Sequence, residues 1–131
     1  MTTPAPSLEA IPYHEALAAG QLLLQACDDC GALRHPPSPM CPHCQSVRVR
    51  WQRSAGVGTV HSAVTVHHTT TPRYRERTPY TVLTVALDDG VRLLAPLDFD
   101  VQIVPPIGAR VALHFVPQTD GQLLPLFKNF P

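Results

Sequence analysis

Two Cys-x-x-Cys pairs separated by ten residues constrain the fold of this chain more than any other feature. The four cysteines are Cys27, Cys30, Cys41 and Cys44. A two-residue gap lets one tight turn present two thiolates, and two facing turns complete a tetrahedral site with metal–sulfur distances of about 2.3 Å. Gly31 follows the first pair and Pro42 lies inside the second, so both turns contain turn-forming residues. The spacing predicts a zinc ribbon that binds one structural zinc per chain.

Two other uses of four cysteines are open at this point. Two disulfides would suit a secreted domain, but Met1 to Ser7 lacks the basic and apolar regions of a signal peptide. A thioredoxin-type redox role needs only one pair, placed at a strand-to-helix junction. No apolar run approaches the ~18 residues of a membrane span. We therefore expect a cytoplasmic protein with reduced, metal-binding cysteines and no membrane segment.

The composition limits the size of the fold and the class of partner. A chain of 131 residues makes one domain, or a small module attached to one compact domain. A hydrophobic content of 44% is enough for a core, which a ribbon alone would not have. Ten basic residues balance ten acidic ones, whereas nucleic-acid-binding proteins usually carry a basic excess. The composition therefore disfavours a nucleic-acid partner.

The N-terminal part reads as a leader, a helix and a strand. The leader contains several prolines, and apolar residues then follow helical spacing from Tyr13 to Ala19, with Gly20 as the expected stop. This helix either covers the core or docks on another subunit. A strand over 21–26 leads into the first cysteine pair, and a half-buried strand is expected over 47–52. Within that strand we expect Trp51 to pack where the ribbon meets the next module.

The remainder of the chain reads as five strands. They are predicted over residues 59–68, 80–87, 91–97, 109–116 and 122–127. The core-facing candidates of the first are Val60, Ala63 or Val64, and Val66. Five strands fit a small Greek-key barrel of the OB type, whereas a β-sandwich would need about seven. The predicted organisation is a leader and helix over 1–26, a ribbon over 27–53 and an OB-fold over 54–131.

An ordered series of motifs resembles the zinc-ribbon and OB-fold proteins catalogued as DUF35. The series runs through Tyr13-His-Glu-Ala-Leu-Ala-Ala-Gly20, the two cysteine pairs with Pro-Pro between them, Trp51, Gly56-x-Gly58-x-Val60-x-Ser62, Pro79-Tyr80, Leu87-Asp88-Asp89-Gly90 and Leu124-Pro125-Leu126-Phe127. The resemblance implies an N-terminal helix, a rubredoxin-like ribbon and a C-terminal OB barrel. It also implies a gene beside thiolase-like or hydratase-like enzymes of acyl-CoA metabolism. The chain departs from the family at two positions: the family often has an aromatic residue where this chain has His14, and often an arginine where it has Ser38.

The residues of this chain do not encode a complete reaction. All cysteines are assigned to the metal, and four thiolates leave no open position for a catalytic zinc. The seven histidines are His14, His35, His43, His61, His67, His68 and His114. Of these, His35 and His43 lie close enough in sequence to the cysteines to hydrogen-bond a zinc thiolate. The neighbours His67 and His68 would point to opposite faces of a strand, so a shared catalytic role is not expected.

Two functions from different classes follow. In the first, the protein is a non-catalytic accessory subunit of a thiolase-like, hydratase-like or aldolase-like acyl-CoA enzyme. Alternate arginines on an extended loop, Arg73, Arg75 and Arg77, would then hold the phosphates of CoA, unless they form only a solvated loop. In the second, the barrel binds single-stranded nucleic acid, for which only Tyr74 and Tyr80 lie near the arginines. The neutral charge favours the first.

Overall fold

The computed structural model describes residues 7–130, apart from the Arg73 side chain, and is mainly β. The prolines before Ser7 belong to the predicted leader, and residues 1–6 lie outside the described residues. The elements are a 3-10 turn (Leu8–Ala10), α1 (Ile11–Ala18), β1 (Leu22–Cys27), β2 (Leu33–Arg34), β3 (Val49–Ser54), β4 (Val57–Val66), α2 (Pro72–Arg75), β5 (Tyr80–Leu87), β6 (Arg92–Pro96), β7 (Arg110–Pro117) and β8 (Leu123–Asn129). The predicted strands are therefore present, with shifted ends.

Helix α1 ends at the predicted position. The N–H of Gly20 donates to Leu17 O at 3.0 Å and that of Gln21 to Ala16 O at 2.8 Å, and Gly20 has φ 79°. This pair of bonds is a Schellman motif, which places a left-handed residue directly after the helix. The helix begins two residues earlier than predicted, at Ile11, because a proline fits in the first turn of a helix.

The ribbon is a three-stranded antiparallel sheet in the order β2-β1-β3. Central β1 is buried along most of its length and ends at Cys27, so the strand delivers the first cysteine to the cluster. The prediction of a half-buried apolar face over 47–52 was wrong, because Val47 and Val49 are both exposed. β3 is an edge strand, and in the described part of the chain no second layer covers these valines. Trp51 is half-buried.

The second sheet confirms the predicted five-stranded OB barrel. Its antiparallel order is β6-β5-β4-β7-β8, and a parallel bridge between Leu97 and Phe127 links its two ends. Strands β4 and β5 approach closely at Gly58, where a Cβ would lie 2.3 Å from Ala86 O. Glycine is needed there because no side chain fits between the two backbones.

One hydrophobic core joins the barrel to the ribbon and the helix. It consists of Leu22, Leu24, Val60, Leu83, Val85, Leu87, Leu93, Ala95, Leu97, Val111 and Phe127. The first two belong to β1 of the ribbon, and Tyr13 and Leu17 of α1 pack against the cluster. The interpretation that the helix covers the core is therefore confirmed. A shared core fixes the cysteine cluster relative to the barrel.

Strand β4 extends beyond the core. Val60 is buried, but Ala63 and Val64 are exposed and Val66 is only half-buried, so their predicted core positions were wrong. The reason is topological, because β4 pairs with β5 over Gly58–Val66 but with β7 only over Val57–Thr59, and because a bulge between Val60 and Ser62 turns Val64 to the outer face opposite Val82. The outer half of β4 therefore lacks a neighbour on one side.

The sequence suggests an extended segment between β4 and β5, but the structure has a helical turn there. Residues Pro72–Arg75 form one helical turn, in which the N–H of Arg75 donates to Thr71 O at 3.2 Å. A proline at the first helical position is compatible with this turn. The backbone at Arg73 and Arg75 is therefore helical and not extended, so the premise from which a shared face was predicted is absent.

Candidate functional site

The two cysteine pairs are held by two turns with the same hydrogen bonds. Cys27 O accepts from the N–H of Gly31 and Cys41 O accepts from the N–H of Gln45, both at 2.9 Å. Both donors have positive φ, 79° for Gly31 and 63° for Gln45. The glycine was foreseen from the sequence, whereas Gln45 was missed because side chains other than glycine seldom adopt this conformation.

The four sulfur atoms form a compact cluster. All lie within 4.8 Å of one another, with Cys27 Sγ 3.5 Å from Cys44 Sγ and Cys30 Sγ 3.6 Å from Cys41 Sγ. A tetrahedral ion with metal–sulfur distances of about 2.3 Å would separate its ligands by roughly 3.8 Å, so the cluster has the right size. The sulfur separations exceed a disulfide bond of about 2.05 Å. The described chain therefore presents four free cysteines.

The charges of the thiols also favour a bound cation. Hydrogen bonds led by the backbone N–H of Cys30 lower the pKa of Cys27 to about 6. A backbone N–H of Ser46 acts in the same direction on Cys44, yet the sulfur of Cys27, burial and the other thiols raise the pKa of Cys44 to about 12. The pKa of Cys41 is lowered as well and that of Cys30 is raised, so two thiolates form more readily and oppose the ionisation of the other two. A divalent cation would offset this repulsion and allow all four to ionise.

Ionic contacts that the sequence analysis missed tie the first turn to the chain after the second. Arg48 Nη2 lies 2.9 Å from Asp28 Oδ2, and Arg48 Nη1 lies 3.1 Å from Asp29 Oδ1. The N–H of Asp28 also donates to Arg48 O at 3.0 Å. The acidic pair inside the first Cys-x-x-Cys motif was the available signal. These contacts hold the two cysteine turns against each other.

The segment between the pairs is fixed by buried polar groups. The N–H of Ser38 donates to Gln25 Oε1 at 2.8 Å, and buried Arg34 donates through Nη2 to Ser38 O at 3.0 Å. His35 packs its ring 5.1 Å from that of Tyr13, and burial lowers its pKa. Within residues 7–130, neither the imidazole of His35 nor that of the exposed His43 hydrogen-bonds a sulfur atom, so the thiolate contact considered for these two side chains is not observed. The backbone of His43, by contrast, hydrogen-bonds Cys41 and helps to lower the pKa of that thiol.

The arginine segment contributes to a second feature, an aromatic cleft on the barrel. Tyr74 and Tyr80 stack with ring centroids 5.4 Å apart, and Phe99 meets Tyr80 edge to face at 6.0 Å. The guanidinium of Arg77 lies 4.8 Å from the centroid of Phe99. The cleft has a volume of about 240 Å³. Sequence reasoning missed Phe99, because it reaches the cluster from the end of β6, far along the chain.

The three predicted arginines occupy different positions. Arg77 lines this cleft and a neighbouring cleft of about 150 Å³, which it shares with Asp98 and Phe99. Arg75 instead donates through Nη2 to Thr70 O at 3.3 Å. The Arg73 side chain lies outside the described residues. The structure therefore supports only Arg77 as a group facing a cavity.

The described barrel gives little support to the nucleic-acid interpretation. Stacking of single-stranded bases needs free aromatic faces beside a positive groove. Tyr74 and Tyr80 instead stack on each other, Arg77 covers Phe99, and Asp98 and Asp100 also line the clefts. The aromatic faces are occupied and the charge is mixed.

Asp98, which lines both clefts, also lies close to a barrel histidine. His114 Nε2 lies 2.8 Å from Asp98 Oδ2, a close contact whose angle is too poor for a hydrogen bond. Asp98 Oδ1 accepts the N–H of Asp100 at 2.9 Å. The cysteine cluster remains, within residues 7–130, the one group of three or more His, Cys, Asp or Glu side chains arranged to hold a metal. In the same residues, no helix is long and apolar enough to cross a bilayer.

Family models match the ribbon and the barrel. The family described as "ChsH2, rubredoxin-like zinc ribbon domain" matches residues 14–48, and "ChsH2, C-terminal OB-fold domain" matches residues 51–116. A protein of Thermomonospora curvata, named probable enoyl-CoA hydratase alpha subunit, is 37% identical over 119 residues, which is 88% of this chain and 36% of that protein. The 3-oxo-4,17-pregnadiene-20-carboxyl-CoA hydratase alpha subunit of Mycobacterium tuberculosis is 38% identical over 98 residues, covering 74% and 30%. The chain spans about a third of each relative.

A solved structure is similar over nearly the whole chain. It is described as "Ltp2-ChsH2(DUF35) aldolase" and matches with a TM-score of 0.83 and 35% identity. The match covers 97% of this chain and 98% of that chain. The similarity therefore includes the cysteine ribbon, the barrel and their relative placement.

Proposed function

This chain belongs to the ChsH2 (DUF35) family of zinc-ribbon and OB-fold proteins, and on that premise we propose that it is a non-catalytic accessory subunit of an acyl-CoA-processing enzyme. The single observation that carries the proposal is the full-length match to a chain of the Ltp2-ChsH2(DUF35) aldolase. Two relatives named as hydratase alpha subunits support the same class of reaction partner. The finer proposal, that the catalytic partner is thiolase-like, comes from the family resemblance of the sequence.

The ribbon would hold one structural Zn²⁺ through Cys27, Cys30, Cys41 and Cys44. Four thiolate ligands complete a tetrahedral shell, so the ion would contribute to folding and would have no open position for a substrate. The cluster also needs thiols that stay reduced, which supports a location in the cytoplasm. In this proposal, the ribbon and the shared core keep α1 and the barrel in a fixed arrangement for the partner.

A contribution to CoA binding would come from Arg77. Its guanidinium faces the aromatic cleft, and a guanidinium is suited to bidentate bonds with a phosphate. Asp98 lines both clefts and Asp100 lines only the smaller one, so negative charge disfavours a phosphate more strongly in the smaller cleft. We therefore assign Arg77 to the CoA phosphates at the mouth of the larger cleft, and we assign no contact to Arg75.

The accessory role is tested by purification from native cells followed by reconstitution. The expected result is a stable complex with a hydratase, an aldolase or a thiolase-like protein, whose turnover of acyl-CoA falls when this chain is removed. A monomer that shifts labelled oligonucleotides at physiological salt, and that leaves every such enzyme unaffected, would contradict the proposal.

The CoA assignment is tested separately in the reconstituted complex. Arg77→Ala is expected to weaken acyl-CoA binding about tenfold, which corresponds to about 1.4 kcal/mol. The matched control is Arg92→Ala, because Arg92 is an exposed arginine on β6 that lines neither cleft. Equal binding by both variants would refute the role of Arg77 and leave the accessory role intact.

A further inference from the structure

The outer half of β4 presents an unpaired strand edge. The last hydrogen bonds on its β7 side are made at Val60, whose N–H donates to Ala109 O at 3.0 Å and whose O accepts from Gly108 at 2.8 Å. A bulge between Val60 and Ser62 follows, and β4 then continues to Val66 paired only with β5. On the other side, this stretch has no neighbouring strand within residues 7–130.

The register identifies which backbone groups point outward at this edge. Thr65 lies opposite Thr81, and the O of Thr81 accepts from the N–H of Leu97 at 2.9 Å, away from β4. Opposed residues in an antiparallel ladder either exchange both hydrogen bonds or both point away, in alternation. Thr65, and by the same alternation Ala63, therefore direct N–H and C=O to the open side. No backbone hydrogen bond within residues 7–130 uses these outward groups.

The edge beyond the bulge at Val60–Ser62 lacks the charged side chains and prolines that usually protect an exposed strand. Native edges are commonly guarded by charged side chains or prolines. The ribbon edge strand β3 carries the exposed residues Arg50 and Arg53. By contrast, no Asp, Glu, Lys or Arg occurs between Val57 and Pro72, and no proline occurs within β4. The edge is therefore open to a neutral, extended strand.

We propose that this edge pairs with the same edge of a second copy of the chain, and that the chain forms a two-fold dimer through antiparallel β4 strands. The second copy presents a neutral strand with the same outward groups, so the edge is complementary to itself. Pairing Ala63 with Thr65 of the partner copy, and the reverse, uses every outward group identified above. The two-fold axis then passes between Val64 and its copy. These two residues form a non-hydrogen-bonded pair, with Cα atoms about 4.5 Å apart.

This register also continues an apolar row on the outer face of the barrel. Val64 lies opposite Val82, and Val82 lies opposite Pro96, so these three residues share one row. The dimer would extend this row across the axis through the second Val64, and cross-strand pairs of β-branched residues stabilise sheets. Val64 is 60% exposed in the single chain, and pairing would cover part of it. The inference does not depend on the proposed function.

The test uses sedimentation velocity of the zinc-loaded full chain over a range of concentrations. The wild-type chain is expected to show a reversible monomer–dimer equilibrium. Val64→Lys should raise the dimer dissociation constant at least about tenfold, since it places like charges across the axis. Leu94→Lys is the matched control, because Leu94 is 64% exposed on the same outer face but lies on β6. Circular dichroism verifies that both variants are folded.

The register is tested by cross-linking, which does not depend on the lysine variants. Val64→Cys should form a covalent dimer under mild oxidation, because Cα atoms about 4.5 Å apart fall within the disulfide range. Leu94→Cys should not, and it also controls for cross-links through the ribbon cysteines. A monomeric wild type, or a dimer unaffected by Val64→Lys, would overturn the proposal. The proposal would also be overturned if the wild-type chain is monomeric and Val64→Lys abolishes its binding to an acyl-CoA enzyme subunit. The β4 edge would then be the binding site of that subunit.

Discussion

Strands β5 and β6 of the barrel alternate buried and less buried side chains regularly, whereas β3 of the ribbon leaves four of its six residues exposed. Fully buried Leu83, Val85 and Phe127 build the barrel interior. In the ribbon, the buried side chains outside β1 include Cys41, which belongs to the sulfur cluster. Most of the shared apolar core thus comes from the barrel strands, and the ribbon contributes Leu22 and Leu24 of β1 to it. A module with so little apolar burial depends on metal for its folding free energy.

The strongest test of this difference is Cys41→Ser. Loss of one thiolate should reduce bound zinc from about one per chain to near zero and remove on the order of 10 kcal/mol of metal-binding free energy. The ribbon should unfold, as measured by metal analysis and by the fluorescence of Trp51 on β3, while the barrel keeps its far-UV circular dichroism and a cooperative melt. A strong chelator should have the same effect.

His43→Ala is the control for this substitution, because the His43 side chain is exposed within the same cysteine turn and hydrogen-bonds no sulfur in the described chain, while its backbone bond to Cys41 is kept. Its zinc content should equal that of the wild type. An intact ribbon without metal would contradict the dependence on zinc, and simultaneous melting of both parts would contradict the independence of the barrel.

The converse experiment removes the centre of the barrel core. Phe127 is the largest fully buried side chain, and Phe127→Ala should cost about 3–5 kcal/mol of unfolding free energy. Zinc per chain should remain unchanged at temperatures below the lowered melting transition. Phe130→Ala, which truncates a partly exposed phenylalanine three residues later, should cost less than about 1 kcal/mol. Denaturant unfolding gives the loss of stability of each variant, and metal analysis gives its zinc content. Equal losses of unfolding free energy in the two variants would refute a core centred on Phe127.

The coupling between the two parts is tested at Ser54, the last residue of β3. Its hydroxyl donates to Asp89 Oδ1 at 2.7 Å and accepts the N–H of Gly56 at 3.0 Å. Ser54→Ala leaves a buried N–H unsatisfied, so we expect a loss of about 1–2 kcal/mol in denaturant unfolding. Ser62→Ala, a half-buried serine on β4, should be nearly neutral. A neutral Ser54→Ala would show that the shared apolar core alone couples ribbon and barrel.

The same contrast explains which features were predictable from the sequence. Strands and turns depend on local sequence. The ends of β5, the end of α1 at Gly20 and the convergence of the four cysteines were therefore predicted. Whether an apolar residue is covered depends on a neighbouring element. Val64 is exposed because the bulge between Val60 and Ser62 shifts the alternation and turns Val64 to the outer face, opposite Val82. Val47 is exposed because no second layer covers this part of the ribbon in the described chain. The alternation of apolar and polar residues in the sequence does not reveal either of these arrangements.

The candidate sites divide in the same way. The cysteines are a sequence-local motif, and their convergence was predicted. The aromatic cleft combines Arg77 and Tyr80 with Phe99 from another loop, so its composition depends on the closure of the barrel. The expected extended conformation of the arginine segment was wrong, because Pro72–Arg75 form a helical turn, whereas CoA binding by the arginines stays a prediction.

The smallest expected effect concerns a surface ion pair of the barrel. Arg110 donates two bonds of 2.7 Å to the carboxylate of Asp88, and these bonds hold the pKa of Asp88 below its usual range. A folded pKa below the unfolded value of about 3.9 adds stability that is present above that value and disappears as the pH falls through the folded pKa. Asp88→Asn should therefore lower the melting temperature slightly at pH 7 and not at acid pH.

The melting temperatures of the wild type and of Asp88→Asn are compared at each pH. Loss of zinc at acid pH affects both proteins equally, so it does not contribute to the difference. Asp100→Asn is the control, because the exposed carboxylate of Asp100 makes no hydrogen bond in the described chain. Both partners of the Asp88–Arg110 pair are largely solvent-exposed, so screening keeps the effect small. A loss at pH 7 as large as that of Phe127→Ala would mean that surface charge, rather than apolar burial, supports the barrel, and the contrast with the ribbon would have to be redrawn.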